Sequence, residues 1–202
     1  MNNAVIIQHV YPGLGFEKMM ELTRTHNVSY CNFHKFDYQT HCYANELDVN
    51  NGGWVKIELI REALKAGYEY VVWLDADAMI IDVSTDLRKA FEVGKIGACW
   101  HRIPQLNHWN VGVMYVHNTP DTSAFISQWL ASYPPPKDGW MEQGVFNRMG
   151  KAGKIVSTVS DKWNATIDVN LVPDAVVLGF HGQGDAEYRY GMMEETFKRL
   201  FK

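Results

Sequence analysis

Two carboxylates one residue apart, Asp75 and Asp77, follow the apolar run Tyr70-Val71-Val72-Trp73-Leu74 and precede a second one, Ala78-Met79-Ile80-Ile81. Alternate side chains of an extended chain share a face, so the pair is expected to converge on one cation. Hard carboxylate oxygens suit Mn²⁺ or Mg²⁺. Such a cation bridges to a diphosphate and neutralises the charge that grows as the diphosphate leaves. The chain holds twelve Asp, so an Asp-x-Asp arises by chance about once, and the flanking runs carry the weight. Carboxylates between two apolar runs lie near the interior, where charge is costly unless a cation answers it. The competing reading is a solvated turn between strands.

Other residues carry chemistry at the ends of apolar runs. Lys56 falls in the first turn of an expected helix, where a cation opposes the helix dipole; a helix N-terminus with a lysine makes a diphosphate site, the alternative being a solvated surface lysine. His181 follows the apolar run Ala175 to Phe180 and is flanked by Gly182 and Gly184. Imidazole is an acceptable Mn²⁺ ligand, although a lone histidine also serves as a simple hydrogen-bonding group. Glu142-Gln143-Gly144 opens a helix, and Glu142 is either a catalytic group or a favourable charge in a first turn. Asn110 offers an amide to sugar hydroxyls, and Gly112 lets a sugar approach the backbone. Tyr11, beside Val10 and Pro12 after the first strand, is either a stacking face or surface packing. His9 is expected to make a core hydrogen bond, the alternative being contact with a nucleotide.

The elements that must position these residues alternate. Strands are expected at Ala4–Val10, Val28–Phe33, Glu69–Leu74, Ile96–Trp100, Val111–His117, Ile155–Val159 and Ala175–Phe180. Helices are expected at Phe16–Thr25, Trp54–Ala66, Ser123–Ser132, Met141–Met149 and Glu187–Phe201, and one more, capped by Ser84 or Thr85, runs to Val93. Asn50-Asn51-Gly52-Gly53 breaks the chain, and Pro134-Pro135-Pro136 reads as a rigid loop. This alternation implies a single α/β domain over residues 1–202, a three-layer α/β/α Rossmann-like sandwich with a mostly parallel central sheet. Ligands in such folds sit off the carboxyl ends of the strands.

At 202 residues, 47% hydrophobic and 21% charged, the chain builds an ordinary globular core. A net charge of −4 without a Lys/Arg block argues against affinity drawn from a phosphate backbone. Cys31, Cys42 and Cys99 match no zinc or CxxC spacing, so reduced thiols in a cytosol are expected. The N-terminus lacks a signal-peptide pattern, and no apolar stretch is long enough to span a bilayer.

The block WVKIELIREALKAGYEYVVWLDADAMIID resembles the core of GT-A-fold glycosyltransferases. It is most similar to the galactosyl- and xylosyltransferase family that includes yeast mannan galactosyl/mannosyltransferases and xyloglucan xylosyltransferases. Glycogenin-like retaining transferases are similar further along, and in motif order the resemblance covers residues 4 to 182. It implies transfer of a glycosyl group from a nucleotide-diphosphate sugar, UDP-sugar favoured over GDP-sugar, to an acceptor hydroxyl with retention of configuration. It implies Asp75, Asp77 and His181 as ligands of Mn²⁺ or Mg²⁺, with Val10, Tyr11, Lys56, Asp75, Ala76 and Gly182 around the donor and Tyr11 stacked on the uracil. Glu142-Gln143-Gly144-Val145-Phe146-Asn147 resembles an Asp-Gln-Gly-x-Leu-Asn segment near the reacting carbon, with Glu in place of Asp. Asn110 joins Glu142 and Gln143 as a catalytic candidate, and Asp161-Lys162-Trp163-Asn164 resembles a segment facing the acceptor.

Two other readings stay open. A haloacid-dehalogenase-like phosphatase also begins from an apolar strand and Asp-x-Asp, but Met79 stands where that pattern has Thr or Val, and no later Gly-Asp-x-x-x-Asp follows. A non-catalytic sugar-nucleotide binding module would keep the aromatics without needing the metal. The acceptor is open among a glycan, a protein, a lipid-linked sugar and a modified nucleobase. A chain without anchor or stem suits a bacterial enzyme, or a viral one in a host cytoplasm.

Overall fold

A strand buried on both faces must feed two cores, and the alternation along Val71-Val72-Trp73-Leu74 does so: Val71 and Trp73 enter one apolar cluster, Val72 and Leu74 the other. The computed structural model describes residues 2–42, 53–103, 106–133, 141–182 and 184–201. Its strands are β1 (Ala4–Val10), β2 (Asp37–Cys42), β3 (Tyr70–Leu74), β4 (Ala78–Ile80), β5 (Ile96–Ile103), β6 (Leu106–His117), β7 (Val156–Val159), β8 (Ala165–Thr166) and β9 (Val177–Gly179). Its helices are α1 (Phe16–His34), α2 (Trp54–Lys65), α3 (Pro120–Ala131), α4 (Met141–Ala152) and α5 (Ala186–Leu200).

Six strands form the central sheet in the order β2-β1-β3-β6-β5-β7. The pairs β1–β2, β1–β3 and β5–β7 are parallel, and only β6 runs against its neighbours β3 and β5. On one face, Trp54, Ile57 and Ile60 of α2, Phe125, Ile126 and Trp129 of α3, and Val145 and Phe146 of α4 pack on Val5, Ile7, Val71 and Trp73. On the other, Tyr30 and Cys31 of α1 join Ile6, Val72, Leu74 and Ile80. A small sheet, β4-β9-β8, lies on that second side, and its Met79 and Leu178 pack with Met19 of α1 and Met193 of α5. The expected three-layer α/β/α sandwich with a mainly parallel sheet is therefore present. Among the described residues no helix is long and apolar enough to cross a membrane.

Val28–Phe33, expected as a strand from its β-branched and aromatic residues, continues α1 instead. Met19, Thr23, Asn27, Tyr30 and His34 are buried at three- and four-residue steps, which is a helical stripe. Thr23 and Asn27 are polar positions whose donors find acceptors, while the buried Asn27 Oδ1 has no hydrogen-bond partner. The Thr23 hydroxyl donates to the carbonyls of Met19 and Met20, and the Asn27 amide donates to Gln8 Oε1 at 3.1 Å. The second strand comes later, at β2, whose half-buried Asp-Tyr-Gln-Thr-His-Cys sits at the sheet edge and carries little apolar signal. The helix expected up to Val93 is one 3₁₀ turn, Leu87–Ala90, capped by Asp86; the Ser84 and Thr85 hydroxyls donate to Asp82. The strand Ala4–Val10 forms with the expected bounds, and the other expected elements are present with shifted ends. The Asn50–Gly52 break, the Pro134–Pro136 loop and Trp140 lie outside the described residues.

Candidate active site

Two strand pairings, one in each sheet, bring the site together. The β3–β6 ladder runs one step past Leu74↔Val113, with the Asp75 N–H donating to the Gly112 carbonyl at 2.8 Å. The β4–β9 ladder pairs Ala78 with Gly179, and the Phe180 N–H donates to the Asp77 carbonyl at 2.8 Å, which sets His181 beside the carboxylates. Between the two ladders the chain is not extended. The Ala78 N–H closes a turn onto the Asp75 carbonyl at 3.0 Å, so Asp75 and Asp77 share a cleft through a tight turn and not through strand alternation. That cleft, about 460 Å³, is lined by His9, Val10, Tyr11, Leu14, Phe16, Gly53, Lys56, Trp73, Asp75, Ala76, Asp77, Glu142, His181 and Arg189.

Lys56 turns inward, not toward solvent. Its ammonium lies 3.2 Å from Asp75 Oδ1, 3.4 Å from Glu142 Oε1 and 3.2 Å from the Val111 carbonyl. Burial alone would pull its pKa down, but the Asp75 and Glu142 carboxylates more than offset this and hold it above the usual lysine value. Burial pushes Glu142 up, against the pull of Lys56. The Glu142 carboxylate lies on Gly53 at the start of α2, where a Cβ would come within 2.6 Å of it. Gly53 has φ 97°, a backbone that glycine adopts at no steric cost. The Trp73 indole N–H donates to Asp75 Oδ1. Asp77 is buried, and Arg189 donates to its Oδ2 at 2.8 Å. Burial, and then the Asp75 charge, nevertheless push its carboxyl up to about 6.

His181 is neutral at neutral pH, because burial lowers it to about 4. Its Nε2 meets Thr166 Oγ1 at 2.8 Å, and its buried Nδ1 has no hydrogen-bond partner. With Nε2 as the protonated nitrogen, Nδ1 presents a lone pair. A Cβ on Gly112 would meet both Asp75 Oδ2, at 3.1 Å, and His181 Nδ1, at 3.2 Å, so the two atoms flank one point. A Cβ on Gly179 would strike the imidazole at 2.2 Å. Carboxylate oxygen with imidazole nitrogen is a donor set that fits Mn²⁺ or Mg²⁺. Among the described residues no three His, Cys, Asp or Glu side chains are gathered as a ready metal site; Asp77 is turned to Arg189.

A second cleft of about 330 Å³ adjoins the first through Lys56, Asp75, Glu142 and His181, and adds His101, His108, Asn110, Gln143, Val169 and Gly182. Asn110 Oδ1 accepts from the Gly112 N–H at 2.8 Å and from the Asn164 amide at 2.9 Å; Gln143 Oε1 accepts from the Val111 N–H at 3.1 Å. The His101 ring stacks on His181 with centroids 5.7 Å apart, and burial lowers its pKa to about 4.

The residues singled out in the sequence thus line one composite cleft: Val10, Tyr11 and Ala76 in the first part, Asn110, Gln143 and Gly182 in the second, and Lys56, Asp75, Glu142 and His181 at the junction. His9, read as a core hydrogen-bonding group or a nucleotide contact, also lines the first part. The Asp161–Asn164 segment lines neither part. Trp163 is buried in the core, with its carbonyl accepting from the Tyr115 hydroxyl at 2.8 Å. Sequence reasoning missed Arg189, Trp73, His101, His108 and Thr166. Trp73 was visible as an indole two residues before Asp75, and Arg189 as a cation soon after the His181 strand end.

Comparison with curated protein sequences returned no match. Among solved structures, the fold is similar to that of a glycosyltransferase involved in the glycosylation of the major capsid of PBCV-1 (TM-score 0.73, 17% identity, covering 95% of this chain and 98% of that one). It is also similar to galactosyltransferase LgtC in complex with donor and acceptor sugar analogs (TM-score 0.55, 14% identity, covering 98% and 96%). The apo-form glycosyltransferase GlyE of Streptococcus pneumoniae TIGR4 matches over 97% of this chain and 63% of its own length (TM-score 0.63, 11% identity). The architecture is that of a GT-A-type glycosyltransferase. The sequence profile described as nucleotide-diphospho-sugar transferase matches residues 17–197, and the chain belongs to that family.

Proposed function

We propose that this glycosyltransferase is metal-dependent, taking a glycosyl group from a UDP-sugar and passing it with retention to an acceptor hydroxyl. The observation that carries the reading is the unpartnered, buried Nδ1 of His181 set across Gly112 from Asp75 Oδ2. Asp75, Asp77 and His181 would hold Mn²⁺ or Mg²⁺. That ion supplies Lewis-acid stabilisation of the leaving diphosphate. The chain's own residues do the rest. Thr166 and Gly179 fix the His181 ring, and Lys56 with Trp73 fixes Asp75 Oδ1. Val10, Tyr11 and Ala76 would seat the nucleotide, with Tyr11 against the base. The second part of the cleft would take the transferred sugar, with Gln143 and Asn110 nearest its hydroxyls.

Retention is favoured by where the acids sit. The carboxylates lining the second part, Asp75 and Glu142, are both bound to Lys56. Neither is poised as the strong base that an inverting attack needs. The neutral lining of His101, His181, Asn110 and Gln143 suits uncharged hydroxyls. The acceptor is open among a glycan, a protein, a lipid-linked sugar and a modified nucleobase, and donor hydrolysis tests the reading without it. Three unbridged thiols, Cys31, Cys42 and Cys99, suit a cytoplasm; loss of activity under reductant would argue against that location.

The test is hydrolysis of a panel of UDP- and GDP-sugars with Mn²⁺, comparing the natural chain with Asp75→Asn and Asp77→Ala. Losses of about 10³-fold are expected for each variant, the size seen when a group that stabilises transition-state charge is removed. Turnover unchanged in both variants, or insensitive to a chelator, ends the metal reading. The anomer of the first-formed product, read by NMR, decides retention.

A further inference from the structure

Asp77 already has a cation. Arg189 Nη1 lies 2.8 Å from its Oδ2, and the other terminal nitrogen donates to the Gly184 carbonyl at 3.1 Å. The guanidinium sits over the Phe16 ring, 5.7 Å from its centroid. The Asp77 side chain is 6% exposed and that of Arg189 is 21% exposed, so the carboxylate is fixed while the guanidinium borders the cleft that both line. A buried carboxylate needs a counter-ion in every state of the protein. A guanidinium and a divalent cation on one carboxylate repel each other strongly in a partly dehydrated cleft. Each therefore weakens the other's hold on Asp77.

We propose that Arg189 is a resident stand-in for the divalent cation: it holds Asp77 in the donor-free enzyme, yields that carboxylate when metal and donor arrive, and turns to the donor's diphosphate. The inference rests on the metal-dependent reading above. Arg189 projects from α5, which follows Gly182 and Gly184, both in left-handed backbone conformations (φ 80° and 57°). Its terminal nitrogens need only rotate within the cleft to exchange one anion for another. Metal alone must strip Arg189 of its partner, whereas metal with a nucleoside diphosphate gives it a new one. Metal and nucleotide should therefore tighten each other's binding beyond what their direct contact provides, and reciprocally so.

The experiment is calorimetric titration of Mn²⁺ at pH 8, with and without saturating UDP, on the natural chain, Arg189→Met and Arg189→Lys. The expected result for Arg189→Met is Mn²⁺ binding tighter by about tenfold without UDP, with the mutual enhancement of Mn²⁺ and UDP smaller by a similar factor. Arg189→Lys, which keeps the charge but loses the fork, should fall between. A purely structural role for Arg189 would weaken both ligands together. Mn²⁺ affinity unchanged or lower in a folded Arg189→Met overturns the proposal. If that variant fails to fold, Arg189→Lys with natural Mn²⁺ affinity and natural enhancement overturns it equally. A natural chain that takes up no Mn²⁺ even with UDP removes the functional reading itself, and the inference with it.

Discussion

His181 is positioned by what its neighbours lack. Gly179 leaves room for the ring, and a Cβ there would overlap Cε1 at 2.2 Å. Gly179→Ala is therefore expected to turn the imidazole away from Asp75, costing about 1–3 kcal/mol of stability as overpacking does, and to lower Mn²⁺ affinity by about 10–100-fold, as disturbed ligand orientation does. Urea titration and Mn²⁺ calorimetry measure the two effects, and natural affinity in a folded variant would remove His181 from the ligand set. The stacked His101 gives a pH signature. Its folded pKa is about 4 against an ordinary value of 6.5, so its contribution to stability is complete above pH 6.5 and is lost as pH falls toward 4. Asp77, held up to about 6, works the opposite way, and so the comparison with a variant isolates the histidine. His101→Asn should show a pH dependence of unfolding free energy shallower by about one proton over that window. An equal change in unfolding free energy between pH 7 and pH 4.5 in the two proteins, read by urea titration, would refute it. Asp75, Asp77 and His181 were legible because each follows an apolar run. Gly179 and His101 were not, because their roles depend on rings brought from other strands.

At the scale of elements, the junction is stabilised by one lysine between two acids. Lys56 was read as a cation placed against the dipole of α2, facing a phosphate. The structure shows why it is tolerated: Glu142, from α4, lies over the start of α2 and pairs with it. Lys56→Met would leave the largely buried Glu142 and the half-buried Asp75 without their counter-ion, at a cost of up to about 3–5 kcal/mol. Adding Glu142→Gln should recover part of that loss, since the second variant removes one of the stranded charges. A double-mutant cycle by urea unfolding measures the coupling, and strict additivity would mean the ion pair is incidental. No local pattern announces such a contact, because its partners are far apart in sequence. The same limit applied to α1. Its second half carries Val28, Tyr30 and Phe33, which favour strands, and its stripe is interrupted by Thr23 and Asn27. Burial against Ile6, Val72 and Leu74 decided the conformation over propensity.

Across the whole molecule, the strand–helix alternation made the layers readable, but not the β4-β9-β8 sheet, which joins segments around residues 79, 178 and 166. That sheet carries His181 to Asp77, so the cleft is built from both ends of the chain: its lining runs from His9 to Arg189. A ligand held there bridges the β1 loop, α2, the β3 turn and α5, and can bind only when all of them are folded. Binding to the native state alone stabilises it by about 2.7 kcal/mol at a hundredfold excess over Kd. For a chain of this size that is a rise in unfolding temperature of about 5–10 °C. Mn²⁺ with UDP should produce that rise, and each alone should give much less, because the diphosphate and the ion complete each other's coordination. Asp75→Asn should remove the joint effect while leaving the unliganded unfolding temperature within a few degrees of the natural chain. A joint shift that survives in Asp75→Asn would remove Asp75 from the groups that hold the ion, leaving Asp77 and His181 of the same cleft.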